Sequence, residues 1–484
     1  MKMLSDDILN GKYFNGQWVT GTEISPAIEP ATGETLGQFA IADAAVMTSS
    51  AATARNAQRS WAAQPGETRS AIMYKAAMLM EEHREEISEW LIRESGSIKL
   101  KAAFEVEVSI KALRESAGLP GQSQGDILPS ELGSLSLARR RPLGVVGVIS
   151  PFNFPLYLAI RAVAPALAVG NGVVLKPDPR TAICGGLIIG RLLELAGAPE
   201  GILHVLPGGG ETGAALVADP NVAMIQFTGS TEAGRKVGES AGRHLKKVSL
   251  ELGGKNSLIV LDDADLDTAV SNAAWGSYLH QGQICMATGR ILVHRKIHDE
   301  FVKRMVAKAR NLKVGDPVQQ DVAIGPIINE HQRDHIHMLV RSAVEAGATL
   351  EAGGNHENLF FEPTVLSNVS PDNPAYLEEI FGPVAVIVPF DDDEMAVRLA
   401  NDTDYGLSAG IITRDVGRAL QLSERIDVGL LHINDQTVND DVCNPFGGTG
   451  QSGNGTSIGG PANWEEFTQW QWLTIKPEAQ AYPI

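Results

Sequence analysis

The feature that most constrains the fold is a regular alternation of short, wholly apolar runs and helical segments that begins at Gly144. The helical segments lie near 156–169, 182–197 and 230–244. Strands that are apolar along their whole length are typical of parallel sheets, because helices cover both faces of such sheets. This alternation predicts a mostly parallel sheet with helices on both sides. The apolar runs are GVVGVIS, GVVLKP, GILHVLP, NVAMIQFTGS and KKVSLEL.

A second series of the same kind occupies the following half of the chain. Its helical segments lie near 264–281, 298–312, 329–347 and 393–401, and they separate further apolar runs. The fold class predicted from both series is therefore α/β, with two Rossmann-like α/β domains built on parallel sheets. The second set of runs is NSLIVLDDADL, RILVHRKI, GPVAVIVPF, GLSAGIIT and GLLHIND.

Two segments depart from this pattern. Residues 118–141 are rich in Gly, Pro and Ser and end in the alternating stretch LSLARRRP, which predicts a protruding hairpin. The C-terminal segment QWQWLTIKPEAQAYPI contains a short strand-like run that ends at a proline. Such a strand is suited to pairing with a sheet edge elsewhere, including one on another subunit.

Composition excludes several classes of partner. The chain has 484 residues, of which 44% are hydrophobic and 20% charged, as in ordinary globular proteins of two to four domains. With 58 acidic and 40 basic residues, the net charge is −18. Nucleic acids and anionic membranes require clustered Lys and Arg, so we expect neither as the main partner.

The cysteines and the apolar segments indicate the cellular compartment in which the protein is found. Three cysteines cannot form a disulfide framework, and their odd number fits a reducing environment. The N-terminus lacks the apolar run of a secretory signal. The most apolar stretch, 143–175, is interrupted by prolines, which makes a membrane-spanning helix improbable. We therefore expect a soluble, cytoplasmic protein.

Three side chains stand where chemistry is plausible. Cys285, in HQGQICMATG, is placed more like a nucleophile than Cys184, which lies in an apolar helix; the alternative is a buried structural cysteine. Glu251 ends an apolar strand. Burial there would raise its pKa and suit a general base; the alternative is a carboxylate bound by backbone N–H groups. The amide of Asn153, in SPFNFP, would either stabilise an oxyanion or a turn.

Two glycine-rich turns are candidate phosphate sites. The first is GGGETG at 208–213, which fits a dinucleotide fingerprint but also an ordinary turn. The second is FTGSTEAG at 227–234, where Gly229 permits a sharp turn and Ser230 would cap the next helix. The N–H groups at that helix start would attract a pyrophosphate, although an ordinary capped turn has the same pattern.

Taken together, these motifs resemble the aldehyde dehydrogenase superfamily over nearly the whole chain. Finer segments, such as HINDQ at 432–436 and GGPANWEEFTQWQW, are similar to the benzaldehyde dehydrogenases, with vanillin and salicylaldehyde dehydrogenases next. The matching motifs, in chain order, are SPFNFP, KP, FTGS, LELGGK, GQIC, EEIFGP and PFGG.

The resemblance implies a domain organisation. Residues 1–121 and 143–253 would form an NAD(P)-binding domain, and 254–466 a catalytic domain. Residues 122–142 and 467–484 would form a small β arm that joins subunits, so the resemblance implies a homodimer or homotetramer.

It also implies a mechanism. The Cys285 thiolate would attack the aldehyde carbonyl, and Asn153 with the Cys285 backbone N–H would stabilise the oxyanion. Hydride transfer to the nicotinamide would leave a thioester, which water activated by Glu251 would hydrolyse. Relatives that pass the acyl group to coenzyme A lack this glutamate, so Glu251 favours hydrolysis. The family's sites imply no metal.

The cofactor implied is NAD, with NADP possible. Many relatives that prefer NAD carry a glutamate where this chain has Pro179, followed by Arg180. Without a carboxylate there, and with Lys176 and Arg180 expected nearby, a 2′-phosphate would be tolerated. The residues implied in cofactor binding are Lys176, Gly229, Ser230, Gly234, Glu379 and Phe381.

Three residues are candidates for the wall of an aromatic substrate pocket. Phe152 replaces a tryptophan common in the family, and Tyr157 lies one helical turn beyond Asn153. Arg161 would either attract a polar ring substituent or form a structural ion pair. Tyr157 has the alternative of a core tyrosine.

Two other functions are compatible with these residues. One is an aliphatic or semialdehyde dehydrogenase with the same catalytic site. The other is a binding or structural protein that keeps the fold without turnover, although the intact set of Cys285, Glu251, Asn153 and Glu379 argues against it.

Overall fold

A computed structural model describes residues 2–483 of the chain, which alternate between strands and helices as the sequence predicts. The first eleven strands are β1 (Asn10–Phe14), β2 (Trp18–Thr20), β3 (Glu23–Ile28), β4 (Thr35–Ile41), β5 (Gly125–Leu128), β6 (Leu135–Pro142), β7 (Val145–Ile149), β8 (Gly172–Lys176), β9 (Leu203–Val205), β10 (Val222–Thr228) and β11 (Lys247–Glu251). The helices of this part are α1 (Ala44–Ala62), α2 (Gly66–Glu82), α3 (Arg84–Ser95), α4 (Lys99–Gly118), α5 (Pro155–Ala168), α6 (Ile188–Ala196), α7 (Gly210–Ala218) and α8 (Thr231–Arg243).

The remaining elements follow in the same alternating manner. The strands are β12 (Asn256–Val260), β13 (Thr288–His294), β14 (Thr349–Ala352), β15 (His356–Glu357), β16 (Phe360–Phe361), β17 (Thr364–Ser367), β18 (Val384–Phe390), β19 (Tyr405–Gly406), β20 (Ser408–Ile412), β21 (Leu430–Ile433), β22 (Thr449–Gly450) and β23 (Thr468–Ile475). The helices are α9 (Leu266–Tyr278), α10 (His298–Asn311), α11 (Glu330–Glu345), α12 (Pro374–Leu377), α13 (Asp393–Asn401), α14 (Val416–Ser423) and α15 (Ala462–Phe467). Short 3₁₀ turns cover Leu119–Gly121, Pro179–Thr181 and Leu279–Gly282, and a π-helical turn covers Ile183–Leu187.

The first sheet has nine strands in the order β11-β10-β7-β8-β9-β1-β4-β3, with β2 paired to β1. Strands β11, β10, β7, β8 and β9 are parallel, which confirms the predicted α/β class for this half. The sequence analysis did not predict β1 to β4, which extend the sheet through an antiparallel pairing of β1 with β9. Buried clusters of apolar side chains line both faces of the sheet.

The parallel strands of this sheet bring four predicted site residues to one edge. Because β11, β10, β7 and β8 are adjacent, their carboxyl ends lie side by side. Glu251 ends β11 and Lys176 ends β8, while Gly229 follows β10 and Asn153 follows β7. In open α/β sheets, ligands bind outside the carboxyl ends of the strands.

The second sheet has seven strands in the order β14-β17-β18-β13-β12-β20-β21. All of its pairings are parallel except that of β14 with β17, so the prediction of a second α/β unit is confirmed. Cys285 and Glu379 precede the adjacent strands β13 and β18. The nucleophile candidate and the second acid therefore enter from the amino ends of this sheet.

A separate three-stranded antiparallel sheet has the order β23-β6-β5. Strands β5 and β6 form the predicted hairpin, and β23 pairs with β6 of the same chain from Thr468 opposite Pro142 to Ile475 opposite Leu135. Trp470 and Trp472 are exposed on this sheet. The proline-interrupted stretch 143–175 folds as strand, turn, helix and strand, and no helix within residues 2–483 is both long and apolar enough to cross a membrane.

Candidate active site

Cys285 is approached through a strained turn. His280, Gln281 and Gly282 have φ angles of 48°, 58° and 66°, a left-handed conformation that is costly for the two non-glycine residues. The side chain of Gln281 holds the turn by donating to backbone carbonyls of two other loops at 3.0 and 2.8 Å. Such strain persists only where the surroundings fix it, and it clusters at functional sites.

The thiol of Cys285 is held in its neutral form in this environment. Burial raises its pKa to about 12, and the charges of Glu379 and Glu251 add to the effect. Both carboxylates are therefore close enough to the sulfur to act on it electrostatically. A thiolate forms here only if a base takes the proton or if a further positive charge enters the site.

Asn153 is joined to the cysteine loop through its side chain. Its Nδ2 donates to the backbone carbonyl of Gln283 at 2.9 Å, two residues before Cys285. An amide nitrogen carries two hydrogens, so this bond leaves one of them available. The arrangement suits an oxyanion donor, because the donor is fixed relative to the reacting sulfur.

Glu251 is a buried carboxylate without a hydrogen-bonding partner. Among residues 2–483, no group binds either of its oxygens, although the residue is only 4% exposed. The alternative of a carboxylate bound by backbone N–H groups therefore does not describe this side chain. Burial raises its pKa well above the usual value, with the charge of Arg161 opposing the shift. A carboxylate with a raised pKa and unbound oxygens is suited to act as a general base.

Glu379 is bound to the segment that follows Glu251. Its Oε1 accepts from the backbone N–H of Gly254 at 3.1 Å. Burial raises its pKa to about 7, while the N–H of Gly254 and the charge of Lys255 oppose the shift. A side chain on Gly253 would collide with the Glu379 carboxylate, so only glycine permits this approach. The next residues reach the cysteine too, because Asn256 Nδ2 donates to the Cys285 carbonyl at 2.8 Å.

The residues predicted to hold a nicotinamide nucleotide form a connected surface. Gly229 donates its N–H to the Glu251 carbonyl at 3.0 Å, and Ser230 caps α8 with a long bond of 3.4 Å from the N–H of Ala233. Gly234 lies in the first turn of α8, where a larger side chain would collide with Leu252. The start of α8 thus presents backbone N–H groups and its positive dipole end, which fits a pyrophosphate.

Lys176 and Phe381 are two further predicted cofactor residues. The Lys176 ammonium is mostly buried, which lowers its pKa, and no hydrogen bond joins it to another side chain of residues 2–483. A Cβ placed on Gly213 of the GGGETG turn would lie 3.6 Å from the aliphatic part of the Lys176 side chain. Phe381 has a left-handed backbone with φ 53°, and its ring packs edge-on against Phe152 at 5.9 Å between centroids. These residues fit the cofactor that the sequence implies.

The structure pairs Arg180 with Asp178, a contact that the sequence analysis did not predict. Arg180 is not a free cation beside Lys176, because it donates two hydrogen bonds to the Asp178 carboxylate at 2.8 and 2.7 Å. Burial alone would raise the pKa of Asp178, but the bonds and charge of Arg180 outweigh it and hold the pKa below its usual value. The Arg180 guanidinium also stacks on the Phe152 ring at 4.1 Å. Arg180 is therefore already paired with a carboxylate.

The substrate-pocket candidates Tyr157 and Arg161 both bind the carboxylate of Asp440. Arg161 forms a buried ion pair with Asp440, with Nη1 2.7 Å from Oδ2, and Tyr157 donates its hydroxyl to the same oxygen at 2.9 Å. The guanidinium also stacks on the ring of Phe446 at 4.2 Å. Of the two interpretations of Arg161, the structure shows the ion pair. The group still adjoins the reaction centre, since its charge acts on Cys285 and Glu251.

A comparison with known proteins identifies the family. The model of the aldehyde dehydrogenase family matches residues 18–473. The chain belongs to the aldehyde dehydrogenase family. It is 55% identical to a vanillin dehydrogenase of Amycolatopsis sp., and the alignment covers 100% of each chain. It is 46% identical to a benzaldehyde dehydrogenase [NAD(+)] of Pseudomonas putida, and that alignment covers 98% of each chain. The predicted family and enzyme class are thereby confirmed.

A solved structure supports the same assignment for the fold. A salicylaldehyde dehydrogenase from Pseudomonas putida, complexed with salicylaldehyde, superposes with a TM-score of 0.94 at 37% identity. The match covers 98% of this chain and 100% of that one. The predicted α/β architecture is confirmed over the whole length.

Three functional candidates in this aldehyde dehydrogenase escaped the sequence analysis. Asp440 is separated from Arg161 by 279 positions, and only the need of a buried arginine for a partner pointed to such an acid. Lys101 and Glu105 lie in α4, where a basic and an acidic residue four positions apart look like a solvated pair on a helix surface. The structure instead buries both side chains beside Asn153.

Proposed function

We propose that this aldehyde dehydrogenase oxidises aromatic aldehydes of the benzaldehyde type to carboxylic acids by a hydrolytic route. The observation that carries the proposal is the buried, unpartnered carboxylate of Glu251 beside Cys285. A base so placed serves hydrolysis of an acyl-enzyme, not merely binding of a ligand. The aromatic class is supported by the printed activities of the relatives, which act on vanillin, benzaldehyde and salicylaldehyde.

In the first step, the Cys285 thiol gives its proton to water, which the positive charge of a bound nicotinamide would favour. The thiolate then attacks the aldehyde carbon and the carbonyl oxygen becomes an alkoxide. The free hydrogen of Asn153 Nδ2 and the backbone N–H of Cys285 stabilise that charge. Losing one such donor typically lowers the rate by about 10²–10³. The bond from Asn153 to Gln283 keeps the donor in place, so little reorganisation is needed as the charge develops.

In the second step, the alkoxide re-forms a carbonyl group as its carbon loses hydride, and a thioester remains on Cys285. A bound nicotinamide nucleotide would supply the acceptor for that hydride. Lys176 and the start of α8 at Gly229, Ser230 and Gly234 would hold its ribose and phosphates. Glu379 would accept hydrogen bonds from the second ribose, and Phe381 would pack beside the ring. The pKa of Glu379, raised to about 7, leaves its carboxylate partly protonated near neutrality, so this contact is sensitive to pH.

The last step is hydrolysis of the thioester on Cys285. Glu251 takes a proton from water, and the resulting hydroxide attacks the acyl carbon. The thiolate leaves, and the carboxylic acid is released. The absence of a hydrogen-bonding partner on Glu251 within residues 2–483 leaves its oxygens available to a water molecule.

We infer that NAD is preferred to NADP. The Asp178 carboxylate lies two residues beyond Lys176, and its lowered pKa keeps it ionised at neutral pH. It would repel a 2′-phosphate. Arg180 is already bound to Asp178, so it is a poor partner for such a phosphate. The relative whose name specifies NAD(+) agrees with this preference.

For the substrate, the rings of Tyr157 and Phe446 lie against the Arg161–Asp440 pair, which is close to Cys285. Apolar rings with a polar pair between them suit a flat aromatic ring better than a flexible chain. Phe152 packs against Phe381, so we place it where the cofactor and substrate regions meet. The proposal leaves the ring substituents open.

We also propose the domain organisation that the resemblance implies. Residues 1–121 and 143–253 would bind the cofactor, 254–466 would carry the nucleophile, and 122–142 with 467–484 would join subunits into a homodimer or homotetramer. The exposed Trp470 and Trp472 on β23 support the last assignment. The three cysteines are all free, which supports a reducing, cytoplasmic location.

A substrate panel tests the function. We would compare kcat/KM for benzaldehyde, hexanal and succinic semialdehyde, each with NAD and with NADP. Benzaldehyde with NAD should give the highest value. A clear preference for hexanal or succinic semialdehyde would contradict the aromatic assignment. Absence of aldehyde-dependent NADH formation would indicate a protein without turnover.

A further inference from the structure

We propose that the buried ion pair of Lys101 and Glu105 positions Asn153 to stabilise the oxyanion. This inference rests on the proposed function, in which Asn153 is the oxyanion donor. Neither residue of the pair is assigned a direct contact with the substrate, so both are positioning residues.

The pair is unusual in its burial. Lys101 Nζ is 2.5 Å from Glu105 Oε2, and both side chains have 0% exposure. Removing two charges from water is costly, and their mutual attraction compensates only when further hydrogen bonds satisfy them. The remaining bonds of the pair therefore indicate what it holds in place.

Those bonds lie on both sides of the Asn153 turn. Lys101 Nζ donates to the Asn153 carbonyl at 2.8 Å. Glu105 Oε1 accepts from the backbone N–H groups of Leu156 and Tyr157 at 2.9 and 3.2 Å. The pair thus binds the backbone at Asn153, just before helix α5, and at Leu156 and Tyr157 in its first turn.

Helix α5 needs this external support because it lacks a cap of its own. Its N-cap residue is Phe154, whose side chain offers no oxygen to the first N–H groups, and Pro155 occupies the first helical position. The unsatisfied N–H groups at a helix start require an acceptor, which an N-cap side chain usually supplies. Glu105 of α4 fills that role, and Lys101 neutralises the carboxylate that does so.

The pair also lies next to the cysteine loop. The Lys101 ammonium is 4.2 Å from the centre of the Phe154 ring, and the ring of His280 packs edge-on against Phe154 at 5.8 Å. Asn153 itself bonds to Gln283 in the same loop. Lys101 therefore holds the backbone of Asn153, while the loop that carries Cys285 holds the Asn153 side chain.

The test is a double-mutant cycle read out by the pre-steady-state burst of NADH. The variants are Lys101→Met with Glu105→Gln, Asn153→Ala, and all three changes together. Gln at position 105 keeps an acceptor for α5, whereas Met at 101 removes the bond to Asn153. The control is Arg341→Met with Glu345→Gln, a pair with the same spacing on α11 whose side chains are 69% and 71% exposed.

We expect the Lys101/Glu105 variant to lower the burst rate constant about tenfold, because a small misplacement of a catalytic group is enough to slow the chemistry. The KM for NAD should stay within about twofold, as should the burst of the control. In the Asn153→Ala background, the same two substitutions should change the burst less than about twofold.

Two results would overturn the inference. One is a folded Lys101/Glu105 variant with the wild-type burst, and the other is an equal loss of burst in the Asn153→Ala background. If that variant does not fold, Lys101→Gln, whose shorter side chain draws the donor away from the Asn153 carbonyl, is tested in the same cycle with the same criteria. An unchanged burst in Asn153→Ala alone would instead contradict the oxyanion role proposed above.

Discussion

Asn153 Nδ2 donates to the backbone carbonyl of Gln283 at 2.9 Å, and this bond joins the end of the first sheet to the loop that carries Cys285. Asn153 follows β7, whereas Gln283 lies in the turn before β13 of the second sheet. The proposed oxyanion donor and the proposed nucleophile thus come from different α/β units. The geometry of the reaction centre depends on how the two units meet.

Replacing Glu251 should separate the two halves of the reaction. Glu251→Gln should keep the burst of NADH but lower steady-state turnover by at least about a hundredfold, which is the usual contribution of a general base. Stopped-flow absorbance resolves both phases. The exposed Glu345 at the end of α11 gives a matched control, Glu345→Gln, which should behave as the wild type. Normal turnover in Glu251→Gln, or loss of the burst, would refute the assigned role.

The same carboxylate predicts a pH dependence. Burial raises the pKa of Glu251 well above its usual value, and only the deprotonated form is a base. The rate of thioester hydrolysis should therefore keep rising with pH beyond the ordinary carboxylate pKa of about 4.3 and level off only above the raised pKa. In Glu251→Gln the residual hydrolysis should lack this rise. A rate that is already constant from about pH 5 would show that the carboxylate has its ordinary pKa of about 4.3.

The Asp178–Arg180 pair should control the choice of cofactor. Asp178→Asn removes a negative charge and releases Arg180, so the ratio of kcat/KM for NADP to that for NAD should rise about tenfold, which corresponds to ~1.4 kcal/mol. Asp391 forms an ion pair with Arg295 on the surface, and Asp391→Asn is the matched control. An unchanged ratio in Asp178→Asn would mean that this pair does not face the nucleotide.

The Arg161–Asp440 pair should affect both stability and specificity. Arg161→Leu leaves a buried carboxylate without its partner, a change that typically costs ~3–5 kcal/mol, so the thermal midpoint should fall. If the pair faces the substrate, kcat/KM should also fall more for benzaldehydes with acidic or hydroxyl substituents than for benzaldehyde itself. Equal losses for all ring substituents would restrict Arg161 to a structural role.

A second buried acid, Glu94, predicts how stability changes with pH. Its carboxyl accepts from the backbone N–H groups of Ile183 and Cys184, and burial raises its pKa from 4.5 to about 7. The folded protein therefore holds this proton more tightly than the unfolded chain does. The resulting stability is fully present below pH 4.5 and is lost as pH rises to about 7, a change on the order of 3 kcal/mol.

Glu94→Gln tests this linkage, because the amide keeps an acceptor but cannot ionise. Thermal midpoints measured at pH 5 and pH 7.5 should differ less in the variant than in the wild type. Glu89→Gln, an exposed acid on the same helix α3, should leave the difference unchanged. If the thermal midpoints of Glu94→Gln differ between the two pH values as much as those of the wild type, other groups cause the loss of stability.

Sequence patterns predicted the parts of this enzyme that depend on local order along the chain. Wholly apolar strands alternating with helices predicted both parallel sheets, and the carboxyl ends of adjacent strands then brought Asn153, Lys176 and Glu251 to one edge. Cys285 stood out because small and polar neighbours set it apart from the apolar helix around Cys184. The resemblance to a known family turned these candidates into a site.

Contacts between distant segments were beyond the sequence analysis. Nothing near Arg161 indicated that its partner would be Asp440, and the spacing of Lys101 and Glu105 gave no sign that both would be buried. Lys176 and Arg180 were expected to let NADP be tolerated, because the bond from Arg180 to Asp178 depends on turn geometry that the sequence does not show. Side-chain pairing of this kind is decided by the folded packing, which local patterns do not contain.

The most direct test of the account is to trap and locate the acyl group. Glu251→Gln would be mixed with benzaldehyde and NAD, quenched in acid and digested for mass spectrometry. We predict one benzoyl group per chain on the peptide that contains Cys285, and none when Cys285→Ala is added. A benzoyl group on another residue, or full benzoate formation by the Cys285→Ala enzyme, would contradict it.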